Sequence, residues 1–518
     1  MAEVIGGNII VHNFSLSSAP ITTIPDVAMA LRSMYIKIVP SLKVSQFDTD
    51  NVVNTQYIAE NFPALKTEGI YTIFICILIY LAFIGPILYY FLKKKDKREW
   101  GWVAVPALSL VFMGIVFLLS QNSLYRKDIM NIVSITDINQ DNPVANTRIS
   151  AALKSSSSGD VTFTMKESIP LSFQDAYRGG FGRRGKEKPI RKILSGEGTK
   201  VIFYDNQSWA TNTFMTNTSV DIGGGLESTI SLDGNLISGE VINHTNLDFY
   251  GVVIGTAGCF QRYDQLKAGE SLKFSYKMKD ISSRKGIYEM VNEMYGDIND
   301  RAVVRKRIKE STLSANEAYE LYQQKNLVED SLKLEYYQKQ ENFETGILPI
   351  VVYAFNDAPV LPQKKYINGE LALERNLGLY RCKFNIDLSR SGEVTIPFGL
   401  IYPARVESEF SVNRDVYTNY LYPDKAGEVD CIFQMPKGID VSMFQVRTQA
   451  DLVSFSKEPE IYHIATDTWE PLKAEEYQNV KEYLTDDGAL RVKIFINEVR
   501  EVAMPEIRLK GRGSNAGN

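Results

Sequence analysis

Hydrophobic positions along this chain fall into two regimes. Between Ile70 and Leu92 the sequence reads IYTIFICILIYLAFIGPILYYFL, about 23 residues without a charge. At 1.5 Å rise per residue, that run exceeds the roughly 30 Å hydrocarbon thickness of a bilayer. A second uncharged run, Trp102 to Ser120, reads WVAVPALSLVFMGIVFLLS and is just long enough to do the same. Gly85 and Pro86 fall late in the first run and Pro106 early in the second. Membrane helices tolerate such breaks where neighbouring groups satisfy the freed carbonyls. Tyr89, Tyr90, Trp100 and Trp102 gather at the shared end, where amphipathic rings favour the interface. The pattern predicts a transmembrane helical hairpin over 67–122.

After Ser120 the pattern changes to short apolar-alternating stretches separated by polar turns. Strands are expected at 161–165, 200–204, 228–232, 239–242, 250–254 and 271–276. Turns every 8–12 residues signal a β-sandwich. Ile287, Met290, Val291 and Met294 then recur at helical spacing. Ser314 and Glu317 have the form of a capping box opening another helix. The charged run from Arg301 to Glu310 reads as a solvated helix face. Strands resume at 348–355, and Leu490, Val492, Ile494 and Ile496 alternate with Arg491, Lys493 and Phe495 after the Asp486-Asp487-Gly488 turn. A last strand at 506–509 precedes the polar GRGSNAGN, expected to be disordered.

Orientation follows from the connector KKKDKRE. Lys93, Lys94, Lys95, Lys97 and Arg98 lie between the two apolar runs, and Lys and Arg are retained on the cytoplasmic side. Arg126 and Lys127 oppose them with a smaller bias. Both flanks are therefore expected outside, giving a two-pass protein of the cell membrane with both termini extracytoplasmic. The segment before Ile70 lacks a basic-then-apolar leader and opens with a β-like stretch through Ile9, Ile10 and Val11.

Composition narrows the function classes. At 518 residues the chain exceeds one core. The 28 Tyr and 25 Phe suit β-rich domains, and a net charge of −5 argues against nucleic acid as a partner. Cys76 lies in the apolar run; Cys259, Cys382 and Cys431 are scattered and read as isolated buried thiols, with one disulfide among them left open.

No constellation converges on a reaction. His12, His244 and His463 are the whole histidine supply, and HExxH, GxSxG and P-loop patterns are missing. His463 near Asp467 reads as a surface strand histidine. Asp137, Asn139 and Asp141 imitate half a calcium loop, but Asn142 and Arg148 stand where glycine and the bidentate glutamate belong. A turn rich in Asx residues fits better. Gly223, Gly224 and Gly225 lack a phosphate-cradle spacing and read as a hairpin turn. The segment 178–192 is the most distinctive surface feature. Its Arg178, Arg183, Arg184, Lys186, Lys188, Arg191 and Lys192 are candidates for contact with an anionic surface, either wall polymers or lipid headgroups. No cofactor and no metal site is expected.

The hairpin GPILYYFLKKKDKREWGWVAVPALSLVF resembles a family of uncharacterised bacterial membrane proteins, common in Gram-positive bacteria, through Gly85, Pro86, Trp102 and Pro106. GEVINHTNLDFYGVVIG at 239–255, LKAGES at 266–271, IYHIATDTWEPL at 461–472 and MPEIRLKG at 504–511 look like that family's β strands. The resemblance implies an extracytoplasmic β region and supplies no activity. Longer members carry a domain related to glutamine amidotransferases, and residues 1–45 look like its end.

The expected fold class is a membrane-anchored, mainly β protein, a two-helix hairpin plus tandem β-sandwich-like modules with a helical insert. Its plan is an α/β remnant over 1–66, the hairpin over 67–122 and a sandwich over 123–285. A helical segment over 286–345, a second β-rich domain over 346–511 and a tail over 512–518 complete it. The function expected is that of a non-enzymatic envelope protein whose partners are the lipid bilayer and an envelope or membrane protein. The alternatives are an accessory subunit of a transport or secretion complex, and a hydrolase built from carboxylates alone.

Overall fold

The structure, a computed structural model, describes residues 2–4, 7–9, 55–62, 68–95, 98–121, 128–138, 140, 142–173, 191–195, 198–256, 259–280, 287–296, 298, 301–310, 312–344, 346–415, 420–448, 457–497, 499 and 501–515. The chain is mainly β, with several antiparallel sheets, a few helices and one long apolar helix.

That helix runs from α1 (Glu68–Ala82) through a π turn (Phe83–Ile87) into α2 (Leu88–Lys94). Pro86 has no N–H to give the helical ladder, and the wider turn accommodates its ring without ending the helix. From Phe74 to Lys94 it is long and apolar enough to cross a membrane, and none of those residues is buried. A further apolar helix, α3 (Gly101–Gln121), returns beside it. Tyr80 and Ser109 share a 2.7 Å hydrogen bond, and Phe112 packs against Tyr80 and Phe83 with ring centroids 5.2 and 6.1 Å apart.

Before the helices, β1 (Ala2–Val4) pairs with β2 (Gly7–Ile9), so Ile9 belongs to a small hairpin; Ile10, Val11 and His12 lie outside the described residues. After them come β3 (Ile129–Asp137), β4 (Val144–Lys154), β5 (Gly159–Met165), β6 (Arg191–Ser195), β7 (Thr199–Asn206) and β8 (Thr211–Asp221). Next are β9 (Leu226–Asp233), β10 (Leu236–Asn243), β11 (Phe249–Thr256), β12 (Cys259–Leu266) and β13 (Ser271–Lys277). Three helices follow, α4 (Ile287–Tyr295), α5 (Arg301–Lys309) and α6 (Ala315–Glu344). Then come β14 (Ile347–Asn356), β15 (Lys365–Ile367), β16 (Glu370–Leu371) and β17 (Leu373–Asp387).

The spine is a seven-stranded sheet in the order β12-β11-β14-β17-β3-β4-β8, antiparallel except for the parallel β17–β3 pair. Because side chains alternate across a strand, each central strand serves two cores. Leu348, Ile350, Val352 and Ala354 of β14 face one core, and Val351, Tyr353 and Phe355 face another. The first faces the three-stranded sheet β13-β10-β9, through Leu232, Ile237, Val241 and Phe274. The second is covered by helices, through Val291, Tyr295, Leu327 and Val328. On the other half of the spine, Met130, Ile132, Ile149 and Leu153 meet Phe163, Val201 and Phe203 of the sheet β16-β15-β5-β7-β6. Each such fully buried side chain contributes about 1.5–3 kcal/mol.

This arrangement corrects the boundary expected between 285 and 346. β14 and β17 follow the helical segment yet insert between β11 and β3. Every residue of β14 from Leu348 onward is buried, so the strand needs neighbours on both edges and both faces. A β body from 129 to 387 therefore closes through its last strands. Its core continues into a C-terminal group of sheets, through Val394, Ile396 and Leu400.

Two further expectations change. The Gly223–Gly225 segment is no hairpin turn, since β8 and β9 belong to different sheets and the glycines carry the chain between them. A Cβ on Gly224 would stand 2.1 Å from the His244 carbonyl oxygen, so only glycine fits. The tail is ordered further than its polarity suggests. The final strand continues from Glu506 to Gly513, and the backbone amides of Ser514 and Asn515 donate to Gly438 and Ser389. Residues 516–518 lie outside the described residues.

A helical turn at 55–60, just before α1, docks on the β body. Asn131 of β3 donates to the Ala59 carbonyl at 2.8 Å, and Gln56 reaches Thr213 of β8 at 2.7 Å. Gln323 and Tyr319 of α6 donate to the Asn61 carbonyl. At the start of α6, Ser314 and Glu317 exchange hydrogen bonds of 2.7 and 3.1 Å, the expected capping box.

Candidate functional site

The site of interest is a cleft of about 570 Å³ between β12, β13 and α4. Cys259, Phe260, Gln261 and Arg262 line it from β12, and Ser275, Tyr276 and Lys277 from β13, with Lys279 just beyond. Met290, Glu293 and Met294 of α4 close the third side. Consecutive strand residues point to opposite faces. Four in a row can line one cavity only where it opens on the strand's edge, and among the described residues β12 is the terminal strand of the spine. β13 is likewise terminal in its own sheet. The cleft is the seam where two sheet edges end side by side.

Its chemistry is cationic over an apolar wall. The Arg262 guanidinium lies 4.9 Å from the Tyr295 ring centroid, held by the ring face. The Arg262 Nε and the Tyr276 hydroxyl are buried and have no hydrogen-bond partner. Burial drives both Tyr276 and Tyr295 phenols well above their ordinary range, so both remain protonated donors. The Lys279 amide donates to Cys259 Sγ at 3.1 Å. Among the described residues, Lys277 and Lys279 have no carboxylate partner, while Glu293 supplies the one acidic group of the lining.

The residues singled out from sequence lie elsewhere. Arg178, Arg183, Arg184, Lys186 and Lys188 are outside the described residues. Lys192 belongs to β6, as does Arg191, whose guanidinium sits 4.8 Å from the Phe173 ring centroid. Lys93 and Lys94 occupy the last turn of α2, where cations favour the helix C-terminus, and Lys95 caps it. Arg98 opens a short 3-10 turn, and Lys97 is outside the described residues.

Asp137 ends β3 in an ion pair with Arg381, and Asn142 accepts from the Val144 amide at 2.8 Å. This is an Asx turn; Asn139 and Asp141 lie outside the described residues. His463 does not meet Asp467. Its Nδ1 accepts from the Thr466 amide at 3.3 Å and its ring packs edge-on to Tyr483, whereas Asp467 accepts from the Tyr462 hydroxyl. His244 pairs with Glu227 at 2.9 Å. All four cysteines are thiols; Cys259, Cys382 and Cys431 are buried. Burial pushes the Cys382 thiol up to about 12, far from a nucleophile's range.

A second exposed face carries Arg491 and Lys493 beside Tyr462 and Trp469, with Lys493 4.5 Å from the Trp469 centroid. There the cations are matched by Asp430 and Glu428, at 2.8 and 3.0 Å. Both cations of that face are thus paired with carboxylates.

Residues 225–387 match a domain of unknown function (DUF8725), a range that contains every strand and helix of the cleft. No curated protein matches the chain. The yeast delta-COP-I mu-homology domain is similar over 49% of this chain and 95% of its own length, at 7% identity and a TM-score of 0.23. The same domain complexed with a Dsl1 WxWxV peptide covers 49% and 96%, at 7% identity and a TM-score of 0.22. These scores are too low to establish a shared fold.

Proposed function

We propose that this chain is a membrane-held binding protein. A two-helix hairpin fixes it in the bilayer, and an extracytoplasmic β body presents the cleft between β12, β13 and α4 to a protein partner. The observation that carries the reading is the hydrogen bond from Asn131 to the Ala59 carbonyl. It joins the segment before α1 to the strand after α3, which supports placing both flanks on one side of the membrane with an even number of crossings between them. The fully exposed apolar surface of Phe74 to Lys94 and the returning helix α3 support two crossings rather than none. The cations at the end of α2 support a cytoplasmic connector.

Labelling of single cysteines with a membrane-impermeant maleimide tests this, with the native thiols replaced. Lys95→Cys should label only after permeabilisation, and Ser442→Cys in intact cells. Labelling of both in intact cells would remove the bilayer crossing, and the reverse pattern would invert the orientation.

A second reading, an accessory subunit of a membrane complex, draws on the hairpin surface. A Cβ placed on Gly85 or Gly114 would meet nothing within 4 Å, which leaves smooth patches for partner helices. A stoichiometric membrane protein retained in mild detergent and lost in Gly114→Leu would favour it.

A further inference from the structure

We infer that the cleft takes an extended acidic peptide, added as an extra strand at the open edge of β12. This deepens the proposed binding function and rests on it. Three observations lead there. Four successive residues, Cys259 to Arg262, line the cleft, so the backbone edge itself forms part of the wall. A terminal strand presents a row of unpaired N–H and C=O groups, the template for strand addition. Arg262, Lys277 and Lys279 outnumber the single Glu293 around it, so the occupant that balances the site carries negative charge.

The alternation of an added strand fits the two walls. Side chains of one parity meet Met290 and Met294 on α4, and those of the other meet the β13 side with its lysines. An α4 of 9 residues is about 13 Å long, enough to cover roughly four residues of extended peptide. The occupant therefore alternates acidic and apolar residues. A small amphiphilic anion would use Arg262 and the methionines but would have no use for the strand edge.

The test is fluorescence anisotropy with the full chain in mild-detergent micelles. The probes are a library of labelled seven-residue peptides with Asp or Glu at alternate positions and Val, Ile, Leu or Phe between. A library with Lys in place of the acids and free sodium decanoate serve as comparators. Acidic peptides should bind at least tenfold more tightly than their Lys counterparts. N-methylation of alternate amides should weaken the best binder at least tenfold, as should Arg262→Glu and, separately, the more exposed Lys277→Glu. Unchanged exchange protection of β14 shows that each variant is folded. The inference is overturned if no acidic peptide outbinds its Lys counterpart or if N-methylation is without effect. Decanoate binding that depends on Arg262 and displaces nothing peptidic would reassign the cleft to small anions. If a partner is still crosslinked from the cleft while every peptide fails, the binding function stands and strand addition alone is lost.

Discussion

Lys365 tests the packing of the β body most sharply, because its ammonium is sealed inside. Its side chain is 1% exposed, and Nζ donates to the Leu361 carbonyl at 2.7 Å, the Gln363 carbonyl at 3.0 Å and Glu374 Oε2 at 2.8 Å. Lys365 lies on β15 and Glu374 on β17, so the pair staples the five-stranded sheet to the spine. At an effective dielectric near 20, unit charges 2.8 Å apart attract by about 6 kcal/mol, much of it offset by desolvation. Removing one partner strands the other, at a cost of about 3–5 kcal/mol. Glu374→Gln keeps an acceptor oxygen, so about 3 kcal/mol is expected, or roughly 150-fold in local opening. Hydrogen exchange read by mass spectrometry should show that acceleration at the amides of β15 and its partner β5. Amides of β14 should keep their rates. A change below about threefold at β15 (under roughly 0.7 kcal/mol) would mean that the ammonium is compensated without Glu374, and the argument would fail.

Other perturbations follow from single contacts. Asn131→Ala removes the donor to the buried Ala59 carbonyl, a loss of about 1–3 kcal/mol, and should expose 55–62 to proteolytic nicking in an otherwise folded protein. Unchanged nicking would undo the link between the two flanks of the hairpin. Ser314→Ala should cost the first turn of α6 about 1 kcal/mol, read as faster exchange there. Hydrogen bonds from the Ser314 backbone and side chain hold the Glu317 carboxyl below its ordinary value. The capping contribution is thus present above pH 4.5 and lost as pH falls through the depressed native value, which an acid titration of the same amides checks. Cys382 runs the other way. Its thiol titrates near 9.0 unfolded and about 12 folded, so stability is intact below 9 and declines as pH rises toward 12. About 2 kcal/mol should vanish between pH 8 and 10.5 in denaturant titrations. Cys382→Ala should flatten that part of the slope; an unchanged slope would refute it.

Where one face of a strand is wetter than the other, the alternation is visible in the residues. Residues 489–496 bury Leu490, Val492 and Ile494 completely while Arg491 and Lys493 stay partly exposed. The spine strand β3 lacks that contrast. β3 is buried along nearly its whole length, Asn131, Ser134 and Thr136 included, because it lies between two cores. Two of its polar side chains find partners on other elements: Thr136 shares a hydrogen bond with Thr147 of β4, and the Asn131 side-chain amide donates to the Ala59 carbonyl. β17 carries the contrast only in its second half, where Tyr380, Cys382, Phe384 and Ile386 are buried between Arg381, Lys383 and Asn385. Its 15 residues carry charges at Glu374, Arg375, Arg381 and Lys383, two of which find their mates on α6 and β3. The helices needed no such context, since the periodicity of Ile287 to Met294 and the Ser314–Glu317 cap are local signals.

The cleft was illegible for a reason that also bears on its use. β12 reads CFQRYDQL, a stretch too polar for a core strand, and nothing in it marks an edge. The edge exists only because β12 and β13, neighbours in sequence, part company. β12 pairs with β11 in the spine, and β13 crosses to pair with β10 in the facing sheet. A hairpin that splits between two layers leaves both strands with one unpaired side at the same place. Natural sheets blunt such edges with charge, and here the cations Arg262, Lys277 and Lys279 outnumber the single Glu293 of the lining. Cations of one sign repel a second copy of the same edge while attracting an acidic strand. An edge defended only against association would be served equally by either sign or by proline. If the cations serve the acidic partner, Lys277→Glu with Lys279→Glu should keep the protein monomeric and shift its peptide preference from acidic toward basic. If they serve only to prevent self-association, neither library should bind before or after the change. The inference then fails although the fold stands.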